Sequence, residues 1–164
     1  MRSFVNWVRS LGFVVRGAHA MRMGDDEGVI RHYSRAIEFS PEDLDYYFAR
    51  GHAHWHKREL GLAAADFSKA IELCPDNLYA HLKRGTIYRD RGYYSQAISD
   101  FDYVLDHDDP AEAHYLRAEC LAEQRHYEEA MADLEYVLEG QPYHPQARAL
   151  KLEVERHLTE ELVA

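Results

Sequence analysis

The feature that most constrains this chain is a spacing. Aligned on Gly51, the sequence places Gly17, Gly85 and Ala118 at matching points, in steps of 34, 34 and 33 residues. An arginine precedes each of them: Arg16, Arg50, Arg84 and Arg117. Twelve residues after the small residue stand Val29, Ala63, Ala97 and Ala130; sixteen after it stand Tyr33, Phe67, Phe101 and Leu134; nineteen after it stand Ala36, Ala70, Val104 and Val137. Pro41, Pro75 and Pro142 close three of the units. Within residues 44–77 the apolar positions fall at helical spacing on both sides of a break at residues 57–60. A unit of this size cannot bury its apolar face alone. Neighbours must stack, and roughly three or more are needed for stability. Four copies satisfy that condition.

Packing gives the repeated positions their meaning. A small residue at 51, 85 or 118 lets one helix approach its partner, the alanine at 63, 97 or 130 does the same from the second helix, and the large residue four later fills the space beyond. The period and these residue classes resemble the tetratricopeptide repeat, a helix–turn–helix of about 34 residues. The resemblance implies an all-α fold, a right-handed superhelical solenoid of antiparallel helix pairs. Its four units would lie at about 10–43, 44–77, 78–110 and 111–144, after an extension at 1–9 and before a capping helix at 145–164. The chain departs from the family pattern in two places. The tryptophan of the family's first helix is replaced by Phe13, Tyr47, His81 and His114, and the third unit is one residue short.

Local signals refine the layout. Residues 3–23 read as one helix, with Phe4, Trp7, Leu11, Val14 and Ala18 at helical spacing and Arg2, Arg9 and Arg16 on another face. Gly24–Asp26 breaks it. Ser40 with Pro41, and Asp109 with Pro110, read as N-caps followed by proline at the first helical position. Gly92 and Gly140 read as helix stops. Pro145 opens a last helix. There Lys151, Glu153, Glu155, Arg156, Glu160 and Glu161 form the polar side, and Ala149, Leu150, Leu152 and Val154 form the contact side. The recurrent arginines are expected to pair with acids of neighbouring repeats, such as Asp66 or Asp100.

Charge narrows the function classes. The formal net charge is −10 and is unevenly placed: residues 1–23 hold four arginines and no acid, whereas residues 61–164 hold 21 acids against 10 Lys and Arg. An acidic body argues against nucleic-acid binding, which needs a basic footprint. Cys74 and Cys120 form neither a zinc pattern nor a CxxC pair, which suits a reducing, cytoplasmic setting. Arg9 and Arg16 interrupt the first apolar stretch, leaving Leu11–Val15, shorter than the ~7–15 apolar residues of a secretory core. No run approaches the ~18 apolar residues of a membrane span.

In the family, the first helices line a concave groove that holds partner segments. The resemblance therefore implies a groove with Leu11, Val14, Val15, Ala18, Met21 and Arg22 from the first repeat. The later repeats would supply a partner-binding set of Phe48, His52, Trp55, His56, Tyr79, Leu82, Lys83, Arg89, Tyr115 and Glu119. The aromatic residues would anchor a protein or peptide partner, with His52 and Lys83 setting orientation. The lysine–asparagine–arginine clamp of family members that hold chaperone tails is missing in either register: Val14, Ala18, Ala49, Tyr79 and Lys83, or Phe48, His52, Lys83, Glu112 and Leu116.

His52 and His56, four apart, have metal-ligand spacing, but only Asp90 suggests itself as a third ligand, so no functional metal is expected. The acids around His107 read as a solvated turn. No phosphate loop, HExxH or nucleophile elbow is present, and neither an enzyme nor a cofactor is expected. The reading is a non-enzymatic adaptor, scaffold or assembly factor. Alternatives are a dedicated chaperone of a secreted protein, a membrane-surface adaptor using the basic N-terminal helix, or self-association through that helix.

Overall fold

The structure, a computed structural model, describes residues 2–163, with side chains at residues 5–160. The expectations placed on the side chains of Arg2, Phe4 and Glu161 lie outside the described residues. Among those described, the chain forms helices and no strand: α1 (Arg2–Arg22), α2 (Asp26–Phe39), α3 (Leu44–His56), α4 (Leu60–Leu73), α5 (Leu78–Asp90), α6 (Tyr94–His107), α7 (Ala111–Glu123), α8 (Tyr127–Gly140) and α9 (Pro145–Val163). They gather into two compact units, residues 1–80 and 81–164, with the boundary inside α5. No helix among the described residues is long and apolar enough to cross a membrane.

In the first unit the core is built from Ala20, Val29, Tyr33, Ala36, Tyr46, Ala49 and Ala53, with Phe13, Val14, Ile30 and Ile37 packed at its edge. Helix α1 turns a different face inward from the one its apolar spacing suggests. Ser10, Gly17 and Ala20 are buried, while Trp7 is 48% and Leu11 38% exposed. The reason lies at Gly17, where an added Cβ would stand 2.7 Å from the Tyr33 ring. This close approach sets the rotation of α1. Phe13 stacks on Phe39 at 5.9 Å, and the Ser10 hydroxyl meets the Tyr46 hydroxyl at 3.2 Å.

The second unit has one cluster of Ala97, Phe101, Leu116 and Cys120, and another of Ala118, Leu121, Tyr127, Ala130, Leu134, Val137, Ala147 and Val154. At Gly85 an added Cβ would stand 2.8 Å from Phe101. Helix α9 packs through Ala147, Leu150, Val154 and Leu158, so Ala149 and Leu152, expected as contacts, face outward; Leu152 is 68% exposed. Burial pushes the Cys120 thiol up to about 12, which keeps it protonated and unreactive at neutral pH.

One backbone device recurs within every repeat. The residue in the turn between its two helices is left-handed: Gly24 (φ 69°), Arg58 (61°), Gly92 (75°) and Arg125 (64°). The next amide donates back across the turn, from Asp25 to the Ala20 carbonyl (2.9 Å), Glu59 to His54 (2.9 Å), Tyr93 to Tyr88 (2.8 Å) and His126 to Leu121 (2.9 Å). This is the left-handed helix ending that satisfies otherwise orphaned carbonyls.

The helix starts differ from the expected ones. Ser40 closes α2, its amide donating to the Ala36 carbonyl, and the cap of α3 is Asp43, whose carboxylate accepts from the Asp45 amide at 3.2 Å. Asn77 and His144 serve α5 and α9 in the same way, accepting from the Ala80 and Ala147 amides at 2.9 and 3.1 Å. In α7 the matching place is Pro110 itself, without a side-chain cap. Asp109 is instead bound by His114 and Tyr136. Helix α8 runs through Gly140 and is closed by the Gln141 amide.

Candidate functional site

Three of the four recurrent arginines, Arg50, Arg84 and Arg117, are structural, and each pairs first with an aspartate of its own repeat. Arg50 donates twice to Asp66 (3.0 and 2.6 Å), Arg84 twice to Asp100 (2.9 and 2.7 Å), and Arg117 twice to Asp133 (2.8 and 2.7 Å). The three carboxylates are buried, and these bonds hold the guanidiniums above their usual range. Two repeats add a histidine in place of the family tryptophan. His81 Nδ1 lies 2.9 Å from Asp100, and His114 Nδ1 lies 2.6 Å from Asp133. The sequence signal was available: arginine and aspartate sixteen apart, histidine and aspartate nineteen apart. Links to the preceding repeat are secondary, from Arg50 to Ser34 (3.0 Å) and from Arg117 to Asp102 (2.7 Å).

Of the expected partner-binding residues, the first unit brings four together. Phe48 lies edge-on to Tyr79 at 5.6 Å and tilted against Phe67 at 5.8 Å. His52 lies 5.2 Å from Phe67, 5.9 Å from Tyr79 and 6.2 Å from Trp55, centroid to centroid. The Tyr79 hydroxyl and His52 Nε2 are hydrogen-bonded at 2.8 Å. Phe67 is fully buried, Phe48, His52 and Trp55 are half-buried, and Tyr79 is 48% exposed. The result is a ring cluster with a buried floor and an accessible rim. His56 is exposed and bonded to Asp26 at 3.2 Å, so the two histidines four apart engage different groups. Among the described residues no three potential ligands form a metal site.

The second unit presents ionic chemistry at the expected positions. Arg89 donates to Glu119 (2.7 Å) and to Asp90 (2.8 Å), and the Tyr115 hydroxyl donates to the other Glu119 oxygen (2.8 Å). Burial first, and then the bond to Glu119, raise the Tyr115 hydroxyl to about 12. The Tyr115 ring also lies 5.1 Å from His144. Lys83 is mostly covered and 4.0 Å from Glu112, and Leu82 packs at the edge of the Phe101 cluster. Glu119 belongs to a cleft of about 380 Å³ that is shared with Ala122, Glu123, Tyr127, Leu150 and Glu153. Three glutamates line it beside Arg125 and His157, over an apolar floor of Ala122, Leu150 and Val154, and the repeat register places Glu119 and Glu123 at this end.

Comparison with known proteins places these features in a family. The profile of the tetratricopeptide repeat matches residues 16–77 and 82–145. No curated protein matches the chain in sequence. Among solved structures, MamA (residues 41 to the end) from Desulfovibrio magneticus RS-1 is 15% identical, over 92% of each chain, with a TM-score of 0.81. The Arabidopsis OM64 TPR domain is 20% identical, over 70% of this chain and 95% of that one, with a TM-score of 0.66. The first TPR of Spaghetti (RPAP3), solved with an HSP90 peptide, is 18% identical, over 73% and 95%, with a TM-score of 0.67. These likenesses share the all-α solenoid fold. On the profile match and the repeated positions together, the chain belongs to the tetratricopeptide repeat family.

Proposed function

We propose that the chain is a non-enzymatic protein-binding module whose main contact is the ring cluster of Phe48, His52, Trp55 and Tyr79. The observation that carries the reading is the half-exposed Tyr79 standing over half-buried rings and a fully buried Phe67. Aromatic side chains already held in place can receive an apolar anchor with little loss of side-chain freedom. His56 follows Trp55 on α3 and is exposed. The second unit offers a separate, ionic surface from Leu82, Lys83, Arg89, Tyr115 and Glu119, suited to polar groups of a partner segment. A helix or extended segment with apolar anchors and some basic residues fits both chemistries. The structure solved with an HSP90 peptide lends the reading support from within the same fold. We take the cytoplasm as the working compartment, on two cysteines without a framework spacing.

The test is a selection from a displayed library of helical and extended peptides. It would compare the wild type with a Phe48→Ala, Trp55→Ala, Tyr79→Ala variant whose helicity is checked by circular dichroism. Peptides with apolar anchors should be enriched by the wild type and lost by the variant. An identical enriched set from both proteins would remove the ring cluster from the function.

A further inference from the structure

The first repeat lacks the ion pair that the other three keep. Sixteen residues after Arg50, Arg84 and Arg117 stands an aspartate, bonded twice to the arginine, whereas sixteen after Arg16 stands His32. Arg16 and His32 line a common cleft of about 460 Å³ with His19 and Arg22. No hydrogen bond or ion pair joins any of these four side chains to another described residue. The lining contains one carboxylate, Asp25, and its oxygen accepts the Gly28 amide at 2.9 Å as the cap of α2. The cleft is otherwise apolar, through Val15, Ala20 and Met23, and Val15 is 67% and Met23 71% exposed. Residues 1–23 carry no acid to balance these charges.

Two guanidiniums and two imidazoles that share one cleft, against a single carboxylate that caps α2, form a receptor for a multiply charged oxyanion. Guanidinium forks match phosphate oxygens with paired hydrogen bonds, and two guanidiniums around one anion, with imidazole nitrogens beside them, suit phosphate better than a single carboxylate. The exposed aliphatic and thioether side chains beside them suit a ligand whose charged group is attached to an apolar body. We infer that the cleft between α1 and α2 binds a phosphate group, with Arg16 and Arg22 as its principal contacts. The phosphate could be that of a soluble ester or of a lipid headgroup.

The substitution His32→Asp tests this directly, because it installs the residue that three repeats of the same chain already carry. The full chain would be titrated with glycerol phosphate. In parallel it would be sedimented with vesicles of phosphatidylcholine, with and without phosphatidylglycerol. Binding to glycerol phosphate supports the site and assigns it to soluble esters; binding only to vesicles containing phosphatidylglycerol supports it and assigns it to lipid. In either case His32→Asp and Arg22→Gln should each weaken binding roughly tenfold, the scale of one lost charge-assisted bond. Failure of both probes to bind would overturn the inference, as would undiminished binding by His32→Asp. So would binding of an acidic helical peptide at these residues in place of either phosphate probe, which would make the cleft a protein contact.

Discussion

The two units hold the same kind of helix pair together by different means. In residues 81–164 both repeats bury an arginine–aspartate–histidine cluster, around Asp100 and around Asp133. In residues 1–80 the second repeat keeps only the pair of Arg50 and Asp66, and Tyr47 replaces the histidine, its hydroxyl donating to the Pro41 carbonyl at 2.9 Å. The first repeat has neither part. There Phe13 stacks on Phe39 at 5.9 Å, and Tyr33 packs across to Tyr46 of the second repeat at 5.9 Å. What all four repeats retain is a small residue facing a large apolar one. The helix pair therefore requires that steric fit, and the ionic lock is an addition to it.

The largest effect should come from breaking a lock in the second unit. Asp100→Asn would leave Arg84 and His81 beside a buried amide, and should cost roughly 3 kcal/mol in urea unfolding, because removing one partner strands a buried charge. A loss near zero would mean that the cluster adds nothing to stability. The steric element should matter in both units alike. Gly17→Ala and Gly85→Ala should each destabilise by about 1–3 kcal/mol, since a methyl group would press on the Tyr33 or Phe101 ring. A large cost at only one of the two sites would break the claim of a shared requirement.

An alkaline titration sharpens the contrast further. Cys120 and Tyr115, both in the second unit, titrate at about 12 when folded, against ordinary values of 9.0 and 10.0. Raised folded values mean that their stabilising effect is complete below the unfolded values and is lost as pH climbs toward the folded ones. Stability should therefore fall between about pH 9 and 12, and the combined Cys120→Ala, Tyr115→Phe variant should show a flatter decline. An equal decline in that variant would assign the loss to other groups. The smallest effect belongs to Tyr79→Phe, which removes the bond to His52 at a half-exposed site and should cost less than about 1 kcal/mol in the same assay.

The repeat, the helix pairs and the left-handed turn at Gly92 were legible in the sequence because each imposes a spacing. The caps were misread because Ser40-Pro41 carries the residue types of a helix start. Proline instead shapes the turn ahead of α3, and the capping carboxylate follows it at Asp43. Asp66 and Asp100 are the expected arginine partners, but they serve the arginines of their own repeats, and Arg117 alone also reaches an acid of the preceding repeat, Asp102. Side-chain reach favours the second helix of the same pair, which the recurring sixteen-residue interval from arginine to aspartate marks in the sequence. At the candidate surface the residue types were readable, but their pairing was not. Tyr79 with His52, and Tyr115 with Arg89 around Glu119, depend on which turns of separate helices face one another.

The four left-handed turns have a consequence in time. Glycine occupies this conformation without strain, whereas a side chain at Arg58 or Arg125 raises the energy of the closed turn by roughly 1 kcal/mol. That strain is released whenever the turn opens locally, so closure is weaker where arginine stands. The amides of Glu59 and His126 should then exchange their protons with solvent about fivefold faster than those of Asp25 and Tyr93, although all four make the same bond. Turns with one shape would thus open at two rates, glycine setting the slower and arginine the faster.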